Sequence, residues 1–480
     1  MRDVSIHCKE DTASMKNLIL IILNIFSISL SGQINYTLYS KSEVKQDLNY
    51  AFEKLTRIHP IFLDKKEFAL YQNRLLTTEE SLKDSMTQNE VYLILASLFA
   101  SLNDGHTGVS LPMDQRLQYT KEGGKSFPFF VNIVNGSIYV SFYSGNDCFL
   151  FHGGEQLLEI NGIDAVDMVH KMEGLYGGKL PTNKQRAIAN DFRFLMWLLY
   201  GFEGDYEIVT RNNNCEIRKL TVQGIGSAEF VQNIKRMPKT NSENFSFSVN
   251  KGNETAIMKI KSFGDLDEFS AFADSAFAEI KKSKVKNLVI DIRNNGGGRS
   301  IVVDSLMKYI TNKPYAQYQK IEMRISSELK ERYKEKYPDR YEWVNGYAID
   351  NLVVSEQNLI QPENNDLCFQ GDLFLWTNNT SFSAAATFAG VFKSLNLGTI
   401  IGEETGGTIA YYGDFWFLKT PYTGITFYIS PKRFIQYGGN DFDRGVIPDY
   451  LVTDKGDSIM DFTYKLIGKK QRNANTRYSQ

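Results

Sequence analysis

Repeating strand and helix patterns in the C-terminal half predict an α/β protein centred on a mixed, largely parallel sheet, preceded by a helical segment and a strand-rich one. Three observations carry this. Between Ser42 and Leu102 apolar residues recur at spacings of three and four, as Val44, Leu48, Ala51, Phe52 and Leu55, then Val91, Leu93, Ile94, Leu98 and Phe99, the period of one-sided helices. Between Phe127 and Val222, alternating stretches such as Ser137 to Phe142 and Tyr206 to Thr210 read as strands. Beyond Ala256 the two patterns alternate, and repeated units of that kind need a sheet covered on both faces. Ala256 to Ile260, Asn287 to Ile292, Leu373 to Trp376 and Thr399 to Ile401 read as strands. The helix that begins at Phe269, and those over Ile301 to Ile310 and Ala384 to Leu395, lie between them. Lys313 to Cys368 is a charged, tyrosine-rich insertion with a helix expected at Ser326 to Lys336, read as a lid or a solvated excursion.

The 480 residues suffice for two or three domains. Lysine plus arginine number 54 against 56 aspartate plus glutamate, a net charge of −2, so no field draws the chain to nucleic acid or an anionic membrane. Met15 to Gln33 has the pattern of a secretory signal: Lys16, an apolar run from Leu18 to Leu30, then small residues at Ser29, Ser31 and Gly32. That run is short of the roughly 20 residues that span a bilayer. The expectation is therefore export to the periplasm or the extracellular space, with translation starting at Met15 and no stable membrane span after processing. Of the four cysteines, Cys8 precedes the expected cleavage. Cys148, Cys215 and Cys368 remain, enough for one bridge at most, and their spacing matches no zinc site. No metal or organic cofactor is expected.

Asp291-Ile292-Arg293-Asn294-Asn295-Gly296-Gly297-Gly298 follows a buried strand and precedes a helix. Successive glycines let amide groups face a cavity, which suits an oxyanion or a phosphate; no Walker lysine or dinucleotide spacing accompanies them. In Asn378-Asn379-Thr380-Ser381-Phe382-Ser383-Ala384-Ala385-Ala386 a strand ends and a helix starts, so Ser381 or Ser383 either caps the helix or stands at a reactive position. Gly154 to Gly162, with its Asn161-Gly162 turn and a helix expected at Ala165 to Met172, resembles a PDZ domain, which binds peptides by strand addition.

Together the two loop segments resemble the C-terminal-processing (tail-specific) and tricorn-like serine peptidases. Gly402-Glu403-Glu404-Thr405-Gly406-Gly407 and Gly445-Val446-Ile447-Pro448-Asp449 are similar to two further motifs of that family. The resemblance implies a crotonase-like core, hydrolysis of peptide or unfolded protein substrates, Ser383 as acylated nucleophile, and the N-H groups of Gly297 and Ala384 as oxyanion donors. It implies domains at 33–125 (helical), 126–225 (PDZ-like) and 226–470 (catalytic), between a leader and signal at 1–32 and a tail at 471–480. The chain departs from the tail-specific pattern at the base, where the stretch that carries the family's lysine reads Gly406-Gly407-Thr408-Ile409-Ala410 with no lysine, and at Ala386, where a glutamate is common. The tricorn-like branch uses a histidine instead, and Asp104-Gly105-His106-Thr107 is the matching segment, an imidazole being suited to take and return a proton. Asp443 stands near the place of that branch's acid, with Asp441, Glu403 and Glu404 as rivals. Two other readings remain: a peptide-binding relative without turnover, and a carrier of apolar ligands on the same fold.

Overall fold

The computed structural model describes residues 36–145, 151, 153–236, 243–250, 252, 254–453 and 458–477. The expected signal segment and Cys148 lie outside these; Cys215 and Cys368 are free thiols.

The N-terminal segment folds as helices Lys41–Ile58, Lys65–Glu80 and Gln88–Ala100. Two of them start at capping boxes, Ser40 with Glu43 and Thr87 with Glu90, where each side chain satisfies an amide of the first turn. Val44, Leu48, Ala51, Leu55, Val91 and Phe99 are fully buried, as their spacing predicts.

Residues 126–225 form an antiparallel sheet in the order Phe129–Val134, Ser137–Tyr143, Gln156–Ile160, Asp205–Arg211, Ile217–Gln223. Helix Ala165–Glu173 and the long helix Pro181–Tyr200, which the alternation did not suggest, close over it. Phe129, Met168, Phe192 and Ile208 share its core.

The C-terminal half is built on a six-stranded sheet ordered Phe245–Asn250, Thr255–Ile260, Asn287–Asp291, Asp372–Thr377, Gly398–Gly402, Tyr450–Leu451. Its first pair is antiparallel and the remaining pairs run parallel. Helices Leu266–Lys282, Ser300–Met307 and Ala384–Ser394 cover one face. Helix Ser458–Arg477 covers the other, with Ile459 and Ile467 against Val289 and Phe374 and the Trp376 indole N-H donating to Thr463 Oγ1 at 2.9 Å. This helix runs through residue 470, where the sequence suggested a tail.

The insertion is neither lid nor excursion. Strand Tyr318–Arg324 pairs with Leu352–Glu356 and Lys432–Gln436 in a four-stranded sheet. Leu329, Tyr333 and Val344 join Leu48, Leu55, Val91 and Phe427 in a single core. The N-terminal helices thus have no private interior. Asp47, fully buried on the first helix, accepts the Tyr422 amide at 2.9 Å and the Thr423 amide and hydroxyl at 2.8 and 2.6 Å. Strand Gly108–Val109 pairs with Thr426–Ile429. Periodicity marked the helix at 327–336 but not its partner, which lies more than two hundred positions away in the chain.

Leu329→Ala distinguishes these pictures. Truncating this fully buried side chain costs about 2–5 kcal/mol of stability by urea unfolding, whereas a change in a solvated excursion would stay within about 0.5 kcal/mol.

Candidate active site

Two loops leave the carboxyl ends of neighbouring parallel strands, whose register places Asp291 beside Trp376. Short polar side chains stitch the loops together. Asn378 Oδ1 accepts the Asn294 amide at 3.0 Å, and its Nδ2 donates to Asn294 Oδ1 at 3.1 Å. The Phe382 amide donates to Asn295 O at 2.9 Å, while Asn295 Nδ2 donates to Ile260 O at 3.0 Å. Ser381 is fully buried; its hydroxyl donates to Ile292 O at 2.9 Å and accepts the Asn378 amide at 3.2 Å. Of the two serines, Ser381 is therefore the structural one.

Ser383 differs in every respect. It is partly exposed, precedes helix Ala384–Ser394, and makes no side-chain capping bond. Its backbone stands at φ 52°, ψ −124°, a conformation costing about 1–3 kcal/mol for a residue with a Cβ. The strain turns the side chain out of the helix line. Gly297, at φ +102°, lies against it: a Cβ there would sit 2.7 Å from Ser383 Cβ and 2.8 Å from Phe382 O. The loop approaches the serine this closely because position 297 is glycine. The Ala384 N-H has no acceptor among the described residues, while the Gly297 N-H donates to Asn295 Oδ1 at 2.8 Å.

His106 comes from a distant turn. Asp104 Oδ1 accepts its amide at 2.9 Å and its carbonyl accepts the Ser430 hydroxyl at 2.8 Å. Its imidazole stacks on Phe382, the residue before Ser383, with centroids 4.7 Å apart and planes at 17°, and on Tyr411 at 5.4 Å. No hydrogen bond joins it to Ser383 or to a carboxylate among the described residues. Beside it opens a cavity of about 110 Å³ bounded by Phe382, Gly406, Tyr412 and Arg433. Burial pushes the His106 imidazole below its ordinary 6.5, and the Asp104 charge pulls the other way without prevailing.

Sequence reasoning missed His59, which immediately precedes Pro60. It is fully buried, with Nε2 3.4 Å from Asp104 Oδ2, and its Nδ1 accepts the Ile61 amide at 3.2 Å. That contact leaves the proton of a neutral ring on Nε2, facing the carboxylate. Burial alone would raise the Asp104 carboxyl; the His59 hydrogen bond and the two imidazoles hold it below its ordinary value. No spacing rule joins residues 59 and 104, so only the fold reveals the pair.

The candidate acids lie elsewhere. Asp443 is exposed and pairs with Lys179, and Asp441 accepts the Asp443 amide at 3.1 Å. Glu404 is bound by Arg444 at 2.9 and 2.6 Å and by the Gly445 amide at 2.7 Å. That clamp joins the two further motifs, and the amides of Gly406 and Gly407 reach Ser381 O. Their part is to brace the serine turn. Lys393, on the helix after Ser383, bonds to Ile447 O.

Residues 254–452 match the model of peptidase family S41. This stretch is a serine-type peptidase domain. The peptidase domain holds both loops and Ser383, whereas His106 comes from outside it. Over its longer extent the chain is similar in fold to mature CPAF complexed with lactacystin: TM-score 0.62, 14% identity, 90% of this chain and 98% of that one covered. The s499a mutant of CPAF gives 0.64 at 14% identity, covering 89% and 96%. No helix among the described residues is long and apolar enough to cross a membrane, and none of their side chains cluster as a metal site.

The two serines separate by stability. Ser381→Ala leaves the buried Asn378 amide without its acceptor, while Ile292 O keeps the Asn295 amide, and costs about 1–3 kcal/mol. Ser383→Ala, which loses no hydrogen bond, leaves the urea midpoint within about 0.5 kcal/mol of wild type.

Proposed function

We propose that the protein is an exported serine endopeptidase that cleaves peptide bonds through an acyl-enzyme on Ser383. The observation that carries this reading is the strained, uncapped Ser383 beside a glycine loop and a free amide. His106 removes the hydroxyl proton as the oxygen attacks the scissile carbonyl carbon. The C–N bond breaks as the imidazolium returns that proton to the amine, and water then releases the acid by the same route in reverse. The Ala384 N-H receives the oxyanion. The Gly297 N-H joins it by exchanging Asn295 Oδ1 for the developing charge, since an oxyanion is the stronger acceptor.

Asp443 serves as the acid in this scheme only after leaving Lys179. Asp104 already supplies a negative charge near His106 and offsets part of the cost of a buried imidazolium. The proposal retains a crotonase-like core, a PDZ-like unit over 126–225 that receives substrate along its edge strand, and the division at 33–125 and 226–470. Peptide or unfolded protein is the substrate class. A binding protein without turnover is the second reading, favoured by one observation: the imidazole stacks on Phe382 instead of meeting the Ser383 hydroxyl.

Fluorophosphonate labelling decides between them. Wild type labels and hydrolyses casein, and Ser383→Ala does neither; equal labelling of the variant removes Ser383 from the mechanism. Because neutral His106 is the reactive form, activity falls as pH drops through its pKa, so the acidic limb of kcat/KM lies below 6.5. Asp104→Asn removes the charge that favours the imidazolium and moves this limb to still lower pH. An unmoved limb in Asp104→Asn assigns the titration to another group.

A further inference from the structure

Three aromatic rings lie against the His106 imidazole. Phe382 and Tyr411 stack on it with centroids 4.7 and 5.4 Å away and planes at 17° and 30°, and Phe415 stands at 6.2 Å with its plane tilted by 37°. They come from separate places in the fold: Phe382 from the serine loop, Tyr411 from strand Ala410–Gly413, and Phe415 from the connection that follows that strand. Stacking covers the faces of an imidazole and leaves its edge, where both nitrogens lie, open to a hydroxyl.

Tyr411 is held on several sides. Its ring also stacks on Phe434, its neighbour across the sheet, at 5.4 Å and 22°, and Phe434 meets the Tyr318 ring at 4.9 Å. Its hydroxyl lies 3.2 Å from Thr387 Oγ1 and 3.4 Å from the Tyr318 hydroxyl. Thr387 sits on helix Ala384–Ser394 and its hydroxyl donates to Ser383 O at 3.3 Å. One side chain therefore joins the imidazole to the backbone of the nucleophile. Burial holds the Tyr411 phenol well above its ordinary 10, so it stays uncharged through the neutral range.

The charged and titratable groups around His106 leave its ring plane unheld. Asp104, on the same turn, accepts the His106 amide and faces His59, on which the Tyr412 ring packs at 4.2 Å. Across the cavity Lys179 pairs with Asp443 and Arg433 with Glu322, and Arg186 stands 5.9 Å from the Phe382 ring. Proton transfer from Ser383 creates a cation in this buried place. The faces of aromatic rings attract a cation without using up its hydrogen-bond donors.

We infer that Phe382, Tyr411 and Phe415 are positioning residues for His106: their rings fix the imidazole plane and stabilise the imidazolium formed as Ser383 gives up its proton. This rests on the serine peptidase reading and deepens it, assigning to ring faces the orienting work that a hydrogen-bonded carboxylate does in a catalytic triad.

The test reads His106 directly. In the full chain labelled with 13C-histidine, the five imidazoles are titrated by NMR, and the His106 signal is assigned by its loss in His106→Gln. Tyr411→Leu and Phe382→Leu keep apolar bulk but remove a ring that favours the charged form, so each lowers the His106 pKa by about half a unit to one unit. In casein hydrolysis the acidic limb of kcat/KM moves to lower pH with it, and kcat falls about tenfold while KM holds. Tyr411→Phe keeps the ring, and with it the wild-type pKa and limb. Phe415→Leu, at a position 39% exposed, gives a smaller shift of the same sign and carries the test if Tyr411→Leu does not fold. An unmoved His106 pKa in the folded leucine variants, or an equal drop in Tyr411→Phe, overturns the inference. Fluorophosphonate labelling of wild type reports separately on the underlying reading: labelling with an unmoved pKa removes the aromatic support alone, and a shifted pKa without labelling removes hydrolysis alone.

Discussion

The site depends on the hydrogen-bonded seam between residues 292–298 and 378–383. Two parallel strands end side by side, and their next residues must leave the sheet with their backbone groups still satisfied. Asn295, Asn378 and Ser381 supply those partners, each short enough to reach a neighbouring main chain, and Asn294 Oδ1 accepts from the Asn378 and Thr380 side chains. Because they hold the loops from below, the chain above them can carry a serine in a costly conformation. The clamp of Glu404 on Arg444 and Gly445 braces the same turn from a third side.

Around that seam the molecule divides its labour. Strands and helices of the C-terminal half fix the serine and its amides, and a turn of the N-terminal segment brings the imidazole. The two contributions meet at Phe382, whose ring carries His106, and at Ser430, whose hydroxyl holds the His106 carbonyl. Electrostatics in this buried pocket follow from His59 and Asp104. The His59 contact and the two imidazoles favour the ionised Asp104 carboxylate against its burial, and that charge is felt by His106.

Much of this was legible in the chain. The strand at 287–291 carries the apolar run Leu288 to Ile290 because both faces are covered, and the helix after Ser383 shows itself by its run of small and apolar residues. The glycine run and the strand-to-helix junction leave local marks in the sequence, and the family resemblance pointed through them to Ser383, Gly297 and Ala384, and separately to His106. Other features were not readable for a physical reason. The Gly297 amide is taken by Asn295 Oδ1, a contact set by how the loop backbone turns, and Asp443 is drawn to Lys179, 264 positions away in the chain. The Lys313 to Cys368 segment was misjudged because its charge and tyrosines describe its outer face, while the few apolar residues that matter, Leu329 and Val344, are buried against helices from the other end of the chain.

That shared interior bears on the order of assembly. The amphipathic helices emerge first from the ribosome, yet the surface that completes them includes Trp416, Phe427 and Ile429, and the hydrogen-bond partners of Asp47 lie at 422 and 423. Contacts so distant in sequence form late, after most of the chain entropy has been surrendered. A nascent or truncated chain that stops before these residues therefore leaves the N-terminal helices, and the turn that carries His106, without the surface that completes their core.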